Sequence, residues 1–257
     1  MTESASNFDD RPIGVFDSGI GGLTVMSELA KKLPSESIIY LGDTARVPYG
    51  DKSPDTIIRY AIEDADFLEK CNVKLIVAAC NTVSAVALDI LKKRLSIPIY
   101  GVLEAGAAAT ENIKNSVVVI GTKTTISSGA YWQEIRKISP HLNVECTACP
   151  LLVPLAEEGI KSWSILSGVF DIYLGKYLAS PPDALLLGCT HYPLVEDKIS
   201  EIFGNTRIFD GGLGTALQTK RRLAELCLLS DSTEKGSVTF INSAGDGSFA
   251  DRAAKYL

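Results

Sequence analysis

The sequence predicts an α/β protein of two similar lobes, each a mostly parallel sheet flanked by helices, with the active site in the cleft between them. Three observations lead there: strand-length apolar runs alternate with amphipathic stretches, a weak internal repeat joins the two halves, and the chain is long enough for two cores. The first strand is expected at 12–17. Leu23, Met26, Leu29, Ala30 and Leu33 then recur at helical spacing until Pro34 stops the pattern. A strand at 37–41 follows, and Ser53-Pro54 reads as an N-cap with proline in the first helical position. Further strands are expected at 74–79, 97–102, 116–121, 143–148 and 183–188. The repeat sets Leu75-Ile-Val-Ala-Ala-Cys80-Asn-Thr82 beside Ala184-Leu-Leu-Leu-Gly-Cys189-Thr-His191, and Ile13 to Ser18 beside Val118 to Thr122 at a similar offset. Residues 11–103 with 210–257 form the expected first lobe, and 104–209 the second. Ligand then belongs outside the carboxyl ends of the strands.

Hydrophobic residues make up 46% of the 257 positions and charged residues 22%, the balance of an ordinary globular chain. A net charge of -6 without a basic stripe argues against nucleic acid, and a small-molecule partner is expected instead. The start, Met1 to Asp10, is polar and acidic. No apolar run approaches the length that spans a bilayer, so no membrane partner and a cytoplasmic location are expected. In that reducing compartment the six cysteines are free thiols, metal ligands or catalysts rather than disulfides.

Asp17-Ser-Gly-Ile-Gly-Gly22 joins a strand to a helix. A dinucleotide fingerprint needs glycine where Thr24 stands, and the Asp17 carboxylate repels phosphate. The plainer reading has Asp17 or Ser18 cap the helix while the glycines turn the chain. Gly42-Asp-Thr-Ala-Arg-Val-Pro-Tyr-Gly50 is a loop by composition, either a mere connection or one whose Tyr49 and Gly50 N–H hold a polar ligand.

Cys80-Asn81-Thr82 and Cys189-Thr190-His191 are sharper. A lone cysteine at a strand end is ordinarily a small buried hydrophobe, but two in the same setting suggest chemistry. Helix N-termini and cations lower thiol pKa values, so accessible, reactive thiolates are expected at both, with His191 as cation or proton relay to Cys189. No metal site is expected, because the chain has two histidines and these cysteines lack finger spacing. Cys146-Thr-Ala-Cys149 matches redox spacing yet reads better as core packing, and either Glu157 or Glu158 can reach His191.

Taken together, GVFDSGIGGLTV, GDTARVPYG, AACNTVSA, GTKTTISSGAY, CPLLVPLAEEG and LGCTHYPL resemble the glutamate racemases, in that family's order. The resemblance implies that Cys80 and Cys189 are the proton donor and acceptor on opposite faces of the substrate α-carbon, with Cys189 acting on L-glutamate. It implies auxiliary acid/base roles for Asp17, Glu157 and His191, and it sets Asp17, Ser18, Tyr49, Gly50, Asn81, Thr82, Thr122, Thr190 and His191 around the substrate. It further implies glutamate as the small-molecule partner, no cofactor (neither pyridoxal phosphate nor metal), and D-glutamate made for peptidoglycan; a homodimer stays open. Two positions depart from the family, Ala105 where proline is usual and Gly211 where serine is usual, and both bear on local loop geometry. The chemistry agrees: inverting an α-carbon requires one base to remove a weakly acidic proton and another group to return one from the opposite face. An aspartate or related racemase, or a non-catalytic two-lobe binding protein for acidic ligands, are the alternatives.

Overall fold

The computed structural model describes residues 9–257, so the polar first eight residues lie outside it. The strands are β1 (Ile13–Asp17), β2 (Ile38–Gly42), β3 (Leu75–Ala78), β4 (Ile99–Gly101), β5 (Ser116–Gly121), β6 (Asn143–Ala148), β7 (Ala184–Gly188), β8 (Arg207–Asp210) and β9 (Val238–Asn242). Helices fill the connections: α1 (Leu23–Lys32), α2 (Pro54–Lys70), α3 (Asn81–Val86), α4 (Leu88–Arg94), α5 (Val102–Ala108), α6 (Lys123–Ser127), α7 (Ala130–Ile138), α8 (Leu152–Glu157), α9 (Trp163–Leu178), α10 (Glu196–Phe203), α11 (Gly212–Glu225) and α12 (Phe249–Ala253).

Two all-parallel sheets result, ordered β4-β3-β1-β2-β9 and β6-β5-β7-β8. Reading the second in reverse gives β8-β7-β5-β6, the order of the first four strands of the other sheet. The repeat seen in the sequence is therefore a repeat of topology, and β3 and β7, the strands that lead into Cys80 and Cys189, are its equivalent members. Both faces of each sheet are covered, as a parallel sheet requires. Along β3, Leu75 and Val77 join one core with Leu23, Met26 and Tyr40, while Ile76 and Ala78 join another with Ile57, Leu68 and Leu91. Leu185 and Leu187 divide from Ala184 and Leu186 in the same way.

Helix boundaries follow local chemistry. Ser53 is extended and its Oγ accepts from the Thr56 N–H at 3.4 Å, with Pro54 opening α2. Leu33 caps α1 just before Pro34. At the other end of α1, however, the cap is Gly22 without any side-chain bond, so neither Asp17 nor Ser18 caps that helix. Strands β8 and β9 were not expected from the sequence: one is four residues that begin with Arg207 and end with Asp210, the other a half-buried edge strand, and neither forms a continuous apolar run. Ala105 lies within α5, and Gly211 is the N-cap residue that joins β8 to α11. They sit at the packing of α5 against α11, where a Cβ on Gly211 would fall 2.6 Å from the Val102 carbonyl oxygen and one on Gly214 would meet Ala105. Among the described residues no helix is long and apolar enough to cross a membrane.

Candidate active site

Cys80 ends the run after β3 and is the N-cap of α3; Cys189 directly follows β7. Equivalent strand ends in facing lobes bring both thiols to one small cavity, lined also by Ser18, Pro48, Tyr49, Gly50, Asn81, Thr82, Thr122, Val153, Thr190 and His191. Its free volume is about 10 Å³, room for a single water. A larger cavity of about 490 Å³ lies beyond Glu157, between residues 156–161 and Arg252 to Tyr256, and reaches neither thiol.

The lobes meet through side chains from both sides. Thr190 Oγ1 donates to Asp17 Oδ1 at 3.2 Å, and the Ile20 N–H points at Glu157 Oε1 at 3.5 Å. Thr82, Thr122 and Thr125 form a triangle of hydroxyls at 2.9 to 3.2 Å. The Thr124 N–H donates to the Gly50 carbonyl at 3.1 Å, which docks the loop after β2 onto the start of α6. The glycines of the first turn explain how this is possible. None has a positive φ. Their use is close approach: a Cβ on Gly19 would collide with Glu157, one on Gly21 would lie 2.7 Å from His191 Nδ1, and one on Gly22 would collide with Asp17.

His191 is buried with Nδ1 3.8 Å from Cys189 Sγ and Nε2 2.6 Å from Glu157 Oε1. Burial opposes its cation, but the bonds to Cys189 and Glu157 prevail and raise its pKa to about 10. Burial raises the Glu157 carboxyl, but the His191 bond, the His191 charge and the Ile20 N–H together hold it below its ordinary range. Glu158 is exposed, so Glu157 makes the pair. On the opposite side, burial raises the Asp17 carboxyl. Burial and the Asp17 charge push the Cys80 thiol up to about 12, against the N–H groups of Thr82 and Val83. That reverses the expectation of a reactive thiolate there. With 4% and 5% exposure, Cys80 and Cys189 are not accessible thiols either. Cys149 is buried and Cys146 half-buried; burial raises their thiols to about 12 and about 11, a setting for packing rather than redox exchange.

Residues 13–218 match the Asp/Glu/Hydantoin racemase family. The chain belongs to that family. Its members are isomerases, and so is this enzyme. It is 47% identical over 234 residues to a glutamate racemase of Geobacter metallireducens, across 88% of this chain and 85% of that one. The structure of a Francisella tularensis glutamate racemase in complex with D-glutamate superposes with a TM-score of 0.89 at 40% identity, covering 97% of this chain and 94% of that one. A Bacillus anthracis glutamate racemase gives 0.90 at 35%, covering 96% and 94%.

Every residue that the sequence nominated for the racemase site reaches the cavity wall, apart from Asp17 and Glu157, which stand one layer behind it. The Tyr49 hydroxyl differs from expectation, because it is engaged by Asp43 and by Asp64 at 2.9 Å rather than turned to a ligand. Two contributors were missed. Tyr131 on α7 donates to Asn81 Oδ1 at 2.5 Å, which leaves the Asn81 NH₂ as the group free to turn toward the cavity. Thr125 joins the hydroxyl triangle. Both stand within the stretch GTKTTISSGAY, but spacing along the chain says nothing of contacts across the lobes.

Proposed function

We propose that the enzyme interconverts L- and D-glutamate, with Cys80 and Cys189 as the two bases of a cofactor-independent racemisation. The observation that carries the reading is the meeting of two thiols, from equivalent ends of repeated lobes, at one small cavity. Cys80, pushed up to about 12, rests as the acid. Cys189 faces the buried His191 ring, with Sγ 3.8 Å from Nδ1, and is the base in the L-to-D direction. The Cys189 thiolate takes the α-proton of L-glutamate and becomes a thiol. The Cys80 thiol delivers its proton to the opposite face and becomes a thiolate, leaving D-glutamate. Each L-to-D turnover leaves Cys189 as thiol and Cys80 as thiolate; proton exchange of both with solvent, or the reverse reaction, restores the starting state, so charge and protons balance.

Asp17 and the pair of His191 with Glu157 serve as auxiliaries, one beside each thiol. Ser18, Asn81, Thr82, Thr122 and Thr190 supply hydroxyls, an amide and the N–H groups at helix starts for the two carboxylates. Tyr49 and Gly50 close one wall. The lobes of this reading are residues 11–103 with 210–257, and 104–209. The bacterial origin of the Geobacter and Francisella relatives supports a cytoplasmic enzyme that supplies D-glutamate for peptidoglycan.

The test is racemisation in deuterium oxide with no added cofactor and after chelation. D-glutamate formed from L-glutamate should carry deuterium from its first appearance, while recovered L-glutamate stays protiated. Early product that keeps its protium points to a single base and overturns the mechanism. A faster rate on aspartate than on glutamate overturns the substrate.

A further inference from the structure

Behind the Tyr49 wall lies a buried group of charges with no part in the proton transfers above. Asp43 and Asp64 are 0% and 4% exposed. The Tyr49 hydroxyl bonds to Asp43 Oδ2 and lies 2.9 Å from Asp64 Oδ2. Arg46 reaches three carboxylates, Asp43 Oδ2 through Nε at 2.5 Å, Asp64 Oδ1 at 3.0 Å, and Glu63. Its guanidinium also covers the Tyr60 ring at 4.2 Å. Ser243, after β9, donates to Asp43 Oδ1 at 2.6 Å. The groups facing Asp64 are thus Asp43, Arg46 and Tyr49 from the loop after β2, and Glu63 from its own helix.

Counting protons in this cluster decides one of them. A phenol has a single hydrogen, yet Tyr49 Oη stands within bonding distance of two carboxyl groups. Its hydrogen goes to Asp43. The contact with Asp64 then has no hydrogen unless Asp64 carries one. Charge agrees: three carboxylates around one guanidinium leave an excess of two negative charges, and a neutral acid reduces it to one. We propose that Asp64 is held as a neutral carboxylic acid that donates to the Tyr49 phenol, and that the chain Asp64 to Tyr49 to Asp43 positions the Tyr49–Gly50 wall of the active site. Burial first, and then the Asp43 charge, raise the Asp64 carboxyl to about 7, in keeping with that state.

The consequence reaches substrate. Tyr49 and Gly50 line the cavity, and Gly50 is docked on the second lobe through Thr124. When Asp64 ionises, two carboxylates face one phenol and the wall loses the Asp64 end of its anchor, keeping only the bond to Asp43. Asp64 is a positioning residue, so its ionisation acts on binding and leaves the proton-transfer groups in place. That part of the inference rests on the proposed glutamate reaction; the protonation of Asp64 does not.

Two measurements test it. In infrared difference spectra between wild type and Asp64→Asn at about pH 6, a protonated-carboxyl stretch belonging to Asp64 should be present, and it should disappear near the value that burial sets. In kinetics, the wild-type KM for glutamate should rise by as much as about tenfold per pH unit above that value while kcat changes little, because the competent fraction falls. The asparagine side chain donates to Tyr49 and accepts from Arg46 but cannot ionise, so Asp64→Asn should bind normally at about pH 6 and lack the alkaline rise in KM. No Asp64 band overturns the protonation, and an alkaline KM rise that persists in Asp64→Asn overturns the positioning. Should glutamate not be racemised at all, the infrared band still decides the first point.

Discussion

His191 joins the two sides of its own lobe's chemistry, with Cys189 on one ring nitrogen and Glu157 on the other. Replacing it with asparagine removes the buried cation beside Cys189 Sγ, while Cys80 on the other lobe keeps its own contacts. The direction in which Cys189 takes the proton should therefore slow by about 10²-fold or more, and the reverse by less. Initial rates from each enantiomer check this, and equal losses would reduce His191 to a binding group. The same residue sets a pH signature of stability. Its pKa is raised from 6.5 to about 10, so the stabilisation is full below about 6.5 and is lost as pH rises through about 10. Denaturant midpoints should fall over that window in wild type and show a shallower fall in His191→Asn. Thiol labelling belongs to this scale too. Cys227 is exposed, whereas Cys80 and Cys189 are buried. Alkylation should mark Cys227 first and the two cavity thiols late, with glutamate delaying them further; early labelling of Cys80 would contradict the burial seen here.

Turns and helix contacts show where side chains are excluded so that the lobes can touch. Gly50 stands against Thr122, and a methyl group there would collide with its Cβ. Gly50→Ala should push the loop away from α6 and break the bond to the Thr124 N–H. We expect a KM about tenfold higher, roughly 1.4 kcal/mol of binding, with little change in melting temperature. A large loss of stability with KM unchanged would show that Gly50 serves folding instead. Gly211 presents the complementary case, since its neighbour is the Val102 backbone rather than a flexible side chain. Gly211→Ser should cost about 1–3 kcal/mol of unfolding free energy, because α5 or α11 must shift to admit the new atoms.

At the scale of the whole molecule, the cavity with room for one water cannot admit glutamate as it stands. The lobes or the loop after β2 must part for substrate to enter. The hydroxyl triangle of Thr82, Thr122 and Thr125 spans the gap and favours the closed arrangement. Thr125→Val keeps the shape while removing one hydroxyl, at a cost of about 1 kcal/mol to that arrangement. Alkylation of Cys80, followed in a Cys227→Ser background, should accelerate about fivefold as the open population grows. An unchanged rate would mean that the triangle does not hold the lobes together.

Much of the architecture was decided locally. Strand-length apolar runs and helical spacing are properties of neighbouring residues, so β1 to β7 and the start of α2 were legible, as was the repeat that makes β3 and β7 equivalents. The cysteines, and the glycines of Asp17-Ser-Gly-Ile-Gly-Gly22, were legible as residues of interest for the same reason. β8 and β9 were not, because short edge strands carry little apolar signal of their own. What tertiary structure decided are the contacts between distant segments. Thr190 meets Asp17 across 173 residues, and Glu157 meets Ile20 across 137. Those meetings bury the thiols, raise Cys80 instead of lowering it, give His191 its Glu157 partner, and turn the Tyr49 hydroxyl away to Asp43 and Asp64. Residue type and spacing state which groups are available for proton transfer; desolvation and the charges brought alongside set which proton each of them holds, and both exist only once the two lobes have packed.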